Sequence, residues 1–578
     1  MKIGRSGMGI ARSYAGLLSG LLALGATIAP AAVLTVGAGS VLVACADEND
    51  PNTWVKRLDD PAQRSAAIKR LGQFFQDSLT KSNNNREAPE VKAVLDVIVA
   101  PLTKVYVAGG LDEKTRKDLI KALADTGDPR ASAAFAKAFT DYEAGKNDED
   151  VKFSAQAIQR MVAQGKKPEQ NVIDALWACF AKFQVSKAKS INLVTDLADA
   201  VLEVKSPSYG PKAVEKLAAP VSEAVESQQD QIQFWQKISI RVLKELKYGA
   251  GAKALVKVLL DPRKGDLRPT AQAALLAVPK EAEEALMAAL KGTDPELAKM
   301  AAEVPDKFGT AILADSISWI SRPAGKDALI AALDAADNDT NRVVIAQSLT
   351  RFPPDQRTKD ALMKTYAKIP PGTRLKTPGD PLGRPVLVQV SASFYDPALT
   401  EWALKEVAAS KGDEGASMIA FGLEAAIKMM TKDQVAKVGE VVTKSWSPKE
   451  QEIYKAAAEV VNACDKDAAC YVGKLGAPIP SRDAVAMWRA VKSARMAAMF
   501  GKPDTKDALI KSLDKVKDAG ARLAVVEAID YLAPQGDANA AAALDKIVAA
   551  DIATGNKDLI AGDDAVVKVA NRLRARAQ

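Results

Sequence analysis

The sequence KDALI occupies residues 326–330 and recurs unchanged at residues 506–510, and the match continues beyond it without an insertion. The further matched positions are Leu333, Asp334 and Arg342 in the first copy, and Leu513, Asp514 and Arg522 in the second. The shared residues form one apolar stripe with helical spacing, together with one aspartate and one arginine. This pattern predicts two copies of a helix-turn-helix unit, which can bury its stripe only by stacking on its neighbours.

Looser copies of the unit surround this match, and several contain an Asp-Pro turn. Such turns lie at residues 60–61, 128–129, 294–295 and 396–397. We expect each aspartate to cap the second helix of its unit, because its side chain can accept from free backbone N–H groups, and proline fits the first turn. The arginine one turn later is expected on the polar side of the helix, where it can reach back to a carboxylate.

Paired helices with Asp-Pro and arginine at the turn resemble HEAT repeats, and the resemblance covers most of residues 53–578. It implies an all-α protein, an α-solenoid of HEAT-like helix pairs that follows an N-terminal export signal. The abundance of alanine and the scarcity of β-branched runs also favour helices over strands.

Residues 369–385 interrupt the array with five prolines and three glycines, and this composition predicts a segment without helix. We therefore divide the body into solenoid parts at 54–369 and 386–578, joined by a loop or linker at 370–385. As a loop it would bind a partner through a basic tip formed by Arg374, Lys376 and Arg384. The alternative is a solvated joint between the two halves.

The N-terminal segment has the layout of an export signal, in which three basic residues precede a long apolar run without charges. The run ends in LVAC at residues 42–45, a small-residue tetrapeptide that resembles the lipobox of bacterial lipoproteins. The resemblance implies that residues 1–44 are a signal peptide, that Cys45 is lipidated, and that residues 45–53 form a short tether. Ala46, rather than an aspartate, follows the cysteine, which favours the outer membrane over the inner one.

Two other interpretations of this segment remain open. Cleavage after Ala46 would release a soluble protein that starts at Asp47. Alternatively, the apolar run could stay as an uncleaved membrane anchor. All three interpretations place residues 47–578 outside the cytoplasm, and lipidation places the protein in a bacterial cell envelope, facing the periplasm or the exterior.

The remaining cysteines suit an oxidising compartment. Cys464 and Cys470 flank a polar segment where a helix is expected to end, so a disulfide between them is plausible, and two free thiols are the alternative. Cys179 lies in an apolar helical pattern and is expected to be a small buried residue. Two thiols and no histidine make a metal site improbable.

Composition argues against several classes of function. Residues 45–578 carry 76 basic and 72 acidic side chains, interspersed, so the sequence predicts no nucleic-acid partner. The chain has no histidine, no phosphate-binding loop and no recognisable catalytic constellation, and we expect neither catalysis nor a cofactor. The expected function is that of a non-catalytic scaffold for unknown protein partners in the envelope. A small-ligand-binding protein or a HEAT-like lyase is the alternative.

Overall fold

The computed structural model describes residues 47–218, 226–475 and 483–578. Within these ranges the chain is built from α-helices and short 3₁₀ turns, and it contains no strand, so the all-α prediction is confirmed. No helix in the described ranges is long and apolar enough to cross a bilayer. The predicted signal peptide and Cys45 lie outside the described residues.

The first part of the array consists of α-helices of 7 to 20 residues. These helices are α1 (Pro51–Arg57), α2 (Arg64–Lys81), α3 (Pro89–Ala108), α4 (Glu113–Thr126), α5 (Ser132–Thr140), α6 (Asp148–Ala163), α7 (Gln170–Lys182), α8 (Ile191–Val204), α9 (Tyr209–Ala218), α10 (Glu226–Glu245), α11 (Ala252–Leu260), α12 (Arg268–Leu275), α13 (Pro279–Lys291) and α14 (Pro295–Glu303).

The second part continues with the same kind of helix pair. Its helices are α15 (Gly309–Ile320), α16 (Pro323–Ala335), α17 (Asp339–Leu349), α18 (Gln356–Lys368), α19 (Gly383–Ser391), α20 (Ala398–Ala409), α21 (Gly412–Met429), α22 (Val435–Ser445), α23 (Pro448–Cys464), α24 (Ala468–Lys474), α25 (Ala484–Phe500), α26 (Thr505–Ser512), α27 (Ala519–Leu532), α28 (Ala538–Thr554) and α29 (Lys557–Ala577).

The KDALI copies lie in corresponding helices, as the repeat predicts. The first is in α16 and is followed by α17, and the second is in α26 and is followed by α27. The predicted capping is confirmed in part. Asp294 caps α14 by accepting from the Leu297 amide at 3.2 Å, and Asp128 caps the 3₁₀ turn before α5, but Asp60 and Asp396 are not the N-cap residues of α2 and α20. In α27 the capping side chain is that of Asp518, which accepts from the Ala521 amide at 3.0 Å. In α17 the capping side chain is that of Asn338, which accepts from the Asn341 amide at 2.8 Å.

An arginine closes the turn between the two helices of a pair by donating to a backbone carbonyl near the end of the first helix. We call four such residues the turn arginines. They are Arg64 (to Leu58 O, 2.7 Å), Arg268 (to Leu259 O, 2.8 Å), Arg342 (to Ala336 O, 2.8 Å) and Arg522 (to Val516 O, 3.3 Å). The contact supplies a donor to carbonyls that a helix C-terminus leaves unpaired.

The expectation that this arginine lies on the polar side is wrong for Arg522. Its side chain is completely buried, and it contacts Asp551 and Asp563 of the following pair, each at 2.7 Å. Arg342 is closer to the prediction, because its side chain is 27% exposed and pairs with Asp339 at 2.8 Å. Arg522 is enclosed by its own helix pair and by the pair that follows. The sequence of one repeat unit does not indicate this burial.

The helices form two rows. In the first part, α1, α3, α5 and α7 pack side by side, and α2, α4, α6, α8 and α10 form a second row behind them. We call the second row the open row, because within the described ranges its helices pack mainly against helices close in sequence. The apolar stripes meet between the rows, in a core that runs from Leu58 to Ala458.

In the second part the corresponding row closes on itself. Helices α15, α17, α19, α21, α25, α27 and α29 contact one another in that order, and α29 returns to pack against α15. We call these helices the closed row. Lys492 of α25 is fully buried in it and donates to the carbonyls of Ile427, Lys428 and Met430 at the end of α21, at 2.9, 3.2 and 2.5 Å.

Two predicted boundaries need correction. Helix α1 begins at Pro51 rather than at residue 54, because Asp50 caps it by accepting from Asn52. Helix α19 begins at Gly383, so residues 383–385 are helical although the Pro/Gly-rich segment was expected to exclude helix. Pro385 is tolerated because it lies in the first turn, where its missing N–H is not needed.

We predict different costs for the same substitution at two turn arginines. Arg522→Met should lower the free energy of unfolding by about 3–5 kcal/mol, because it leaves the buried Asp563 without its cation and leaves Asp551 with only Lys517, at 3.4 Å. Arg342→Met should cost about 1 kcal/mol, because that side chain is partly solvated. Urea denaturation of both variants measures the difference, and an equal or larger loss in Arg342→Met would contradict the assignment.

Candidate functional site

A cleft opens where the two ends of the closed row meet. It lies between α27 and α29 on one side and the turns that follow α17 and α19 on the other, and it is open to solvent with a cavity volume of about 80 Å³. Its lining residues are Thr350, Arg351, Phe352, Pro353, Pro354, Ser393, Tyr395, Glu527, Asp530, Tyr531, Arg572 and Arg576.

Two arginines of α29 share one carboxylate in this cleft. Asp530 of α27 accepts from Arg572 at 3.0 Å and also from Arg576. Both guanidinium groups are well buried, since Arg572 is 6% exposed and the Arg576 side chain 2% exposed, and burial lowers the pKa of Arg576. The Nε atom of each has no hydrogen-bond partner among the described residues.

Tyr395 forms the opposite side of the cleft. Its ring stacks on Tyr531 at a centroid distance of 4.2 Å, and the guanidinium of Arg495 lies 4.3 Å from its centroid. The residue is 6% exposed, and its hydroxyl has no partner within the described ranges. Burial raises the pKa of Tyr395, so the hydroxyl is protonated and can donate. A backbone φ of +53° holds it in this position, in a region that non-glycine residues rarely adopt.

Three cations, from both ends of the closed row, lie close to the ring of Trp319 in α15. Arg351 lies 4.4 Å from its ring centroid, Lys568 of α29 lies 4.8 Å away, and Arg572 lies 5.6 Å away. Arg351 also pairs with Asp315 at 2.6 Å. Cation–π contact therefore connects α29 to α15 at the point where the row closes.

The structure places the predicted basic loop against neighbouring helices. Arg374 pairs with Asp413 at 3.4 Å, and Lys376 pairs with Asp306 at 2.6 Å, while both side chains remain more than half exposed. Arg384 lies in α19 and points inward, donating to the Ile369 carbonyl at 2.7 Å and stacking on Tyr366. The three cations therefore do not form one tip.

The loop joins continuous parts of the array. The Lys376 amide donates to the Thr340 hydroxyl of α17 at 3.1 Å, and the Gly372 amide donates to Glu414 of α21. Helices α17 and α19 pack against each other across the loop. The apolar core therefore continues past residues 370–382.

The predicted disulfide is confirmed. Cys464 ends α23, Cys470 lies in α24, and the two are joined with a Cα–Cα distance of 5.4 Å. Cys179 is a free thiol buried in α7, and burial raises its pKa to about 12, as expected for an inert side chain. No group of three or more Cys, Asp or Glu side chains in the described ranges is arranged to hold a metal ion.

Sequence reasoning missed the ion pairs that join consecutive units. The lysine of each KDALI pairs with the aspartate that caps the first helix of the following pair: Lys326 with Asp355 at 3.0 Å, and Lys506 with Asp537. These aspartates cap α18 and α28. In both copies the lysine and the aspartate are separated by about one repeat unit of sequence, and this shared spacing could have indicated the ion pair. The cleft left no such signal, because its residues come from four separate segments.

No family model matches the sequence, and no curated protein matches it. Solved structures that it resembles include the crystal structure of Kap121p, with 10% sequence identity, coverage of 91% of this chain and 70% of that chain, and a TM-score of 0.33. Another is a circular tandem repeat protein with a novel repeat topology, with 11% identity, coverage of 91% and 94%, and a TM-score of 0.15. Because both TM-scores are low, the solenoid assignment rests on the helix pairs described above.

We predict that replacing both Cys464 and Cys470 with serine costs about 2 kcal/mol of local stability, because the bridge restricts the unfolded chain over a short loop. Thermal unfolding followed by circular dichroism, with and without dithiothreitol, measures the effect. The reductant should lower the midpoint of the wild-type protein and leave the double-serine variant unchanged. A wild-type midpoint that ignores the reductant would refute a stabilising role.

Proposed function

We propose that this protein is a non-catalytic scaffold of a bacterial cell envelope, attached to the membrane through lipidated Cys45, and that it binds other proteins through the open row. The observation that carries the proposal is the continuous row of α2, α4, α6, α8 and α10, which packs mainly against nearby helices within the described ranges. Solenoids of stacked helix pairs use such extended surfaces to bind partners.

The side chains along the open row suit polar recognition. Gln156 of α6 donates to Asp196 of α8 at 2.8 Å, and Lys69 of α2 pairs loosely with Asp118 of α4 at 4.0 Å. Asp199 on α8 is half-buried, and burial raises its pKa. A partner that supplies donors would lose little by desolvating this carboxylate further.

The short segment before α1 would hold the array close to the membrane. Trp54 donates to the Glu48 carbonyl at 3.0 Å, and Arg57 pairs with the Glu48 carboxylate at 2.5 Å, so residue 48 is fixed against α1. The six residues from Cys45 to Pro51 can span at most about 20 Å. A partner would therefore bind near the bilayer surface.

Site-specific photocrosslinking tests the open row. We predict that a photoreactive residue at Lys121 of α4 or Glu203 of α8, both exposed, captures the same protein from intact envelopes, identified by mass spectrometry. Matched control positions are Ala93 of α3 and Ala178 of α7, which are exposed on the other row. Equal capture from the control positions, or different proteins from the two open-row positions, would contradict the proposed surface.

Fractionation tests the lipid anchor separately. Cys45→Ala should remove incorporation of a labelled fatty acid and release the protein from the membrane fraction, because no acyl chain can be attached. The Cys179→Ala variant is the matched control and should keep both properties. If Cys45→Ala retains the label and stays with membranes, lipidation at this residue is wrong, while the open-row proposal is unaffected.

A further inference from the structure

We propose that the cleft at the junction of the closed row binds a small organic carboxylate with an apolar body. The cleft is formed by α27, α29 and the turns after α17 and α19. This inference concerns a different surface from the open row, and it does not depend on the scaffold role or on lipidation.

The charge balance of the cleft favours an anion. Arg351 is matched by Asp315, and Arg495 faces Glu527 at 3.5 Å, so these pairs are neutral. Arg572 and Arg576 share the single carboxylate of Asp530, and one positive charge remains in excess. Since charges buried without a partner are costly, an anion that enters between these groups gains more than it would in water.

The free donors of the cleft are suited to a carboxylate. The Nε–H groups of Arg572 and Arg576 and the hydroxyl of Tyr395 are buried and have no partner among the described residues. Each guanidinium already uses an Nη atom to bind Asp530, which fixes the orientation of the group. A carboxylate has two oxygens with four lone-pair positions, so it has enough acceptor sites for hydrogen bonds from all three donors.

The remaining wall of the cleft selects against a bare inorganic ion. Phe352, Pro353 and Pro354 line it together with the stacked rings of Tyr395 and Tyr531. Apolar walls with a few convergent polar groups are typical of sites for small organic molecules. A single excess positive charge next to an apolar wall favours a monoanion with a short hydrocarbon part over a phosphate dianion.

The position of the cleft links binding to closure of the row. A bound carboxylate would contact α29 through Arg572 and Arg576, and the turn after α19 through Tyr395. These segments are far apart in sequence, and α19 is the third helix of the closed row whereas α29 is the last. A ligand that binds only the closed form stabilises it by mass action.

Calorimetric titration of the purified full-length chain with sodium propionate tests the site. We expect one propionate per chain, and binding at least about tenfold weaker for the neutral isostere propionamide and for inorganic phosphate. Sodium chloride at equal ionic strength serves as the reference. Propionate should also raise the thermal midpoint, whereas propionamide should not.

Tyr395→Phe is the decisive variant, because it removes one hydroxyl that has no protein partner. It should weaken propionate binding about tenfold and leave the unfolding midpoint nearly unchanged. Tyr142→Phe is the matched control, since it removes the hydroxyl of another buried tyrosine that does not line the cleft. This control should bind propionate like the wild type.

Three outcomes would overturn the proposal. They are the absence of propionate binding to the wild type, equal binding of propionamide or tighter binding of phosphate, and equal affinity in Tyr395→Phe and Tyr142→Phe. If Tyr395→Phe fails to fold, Arg576→Lys replaces it, because lysine keeps the charge but lacks the Nε–H donor. Unchanged affinity in a folded Arg576→Lys variant would likewise reject the site.

Discussion

In four helix pairs, a bond from the turn arginine to a backbone carbonyl constrains the turn between the two helices. A helix leaves its last carbonyls without partners, and in Arg64, Arg268, Arg342 and Arg522 a guanidinium from the following helix supplies the donor. The bond also fixes how closely the second helix returns along the first. Because each pair buries its apolar stripe only against its neighbours, a regular turn is what allows regular stacking.

The same unit produces two different surfaces along one chain. In the first part, the second helices form the open row, which we propose as the surface that binds a partner. In the second part, α29 reaches α15, and the row closes around buried cations such as Lys492 and Arg572. Lys492 of α25 donates to three backbone carbonyls at the end of α21. Polar contacts as well as apolar packing therefore join these two helices of the closed row. Closure creates a cleft that no individual helix pair contains.

Much of the local structure could be predicted from the sequence, because it depends on nearby residues. The two KDALI helices, the capping aspartates and the Cys464–Cys470 bridge all involve contacts within one unit. The errors arose where a distant part of the chain changes the environment. Arg522 is buried against two carboxylates from the following helix pair. Arg384 points inward and makes a cation–π contact with the ring of Tyr366. Periodicity within a unit carries no information about either contact.

The sequence by itself determined the type of unit and the order of the units, since helical spacing, caps and the repeated KDALI are local properties of the chain. Tertiary structure alone decided that the second row stays open in one part and closes in the other. Small rotations between successive pairs accumulate over many units, and they depend on side-chain packing between pairs. For this reason Tyr395, Asp530, Arg572 and Arg576, which are scattered over nearly two hundred residues, meet in one cleft only in the folded array.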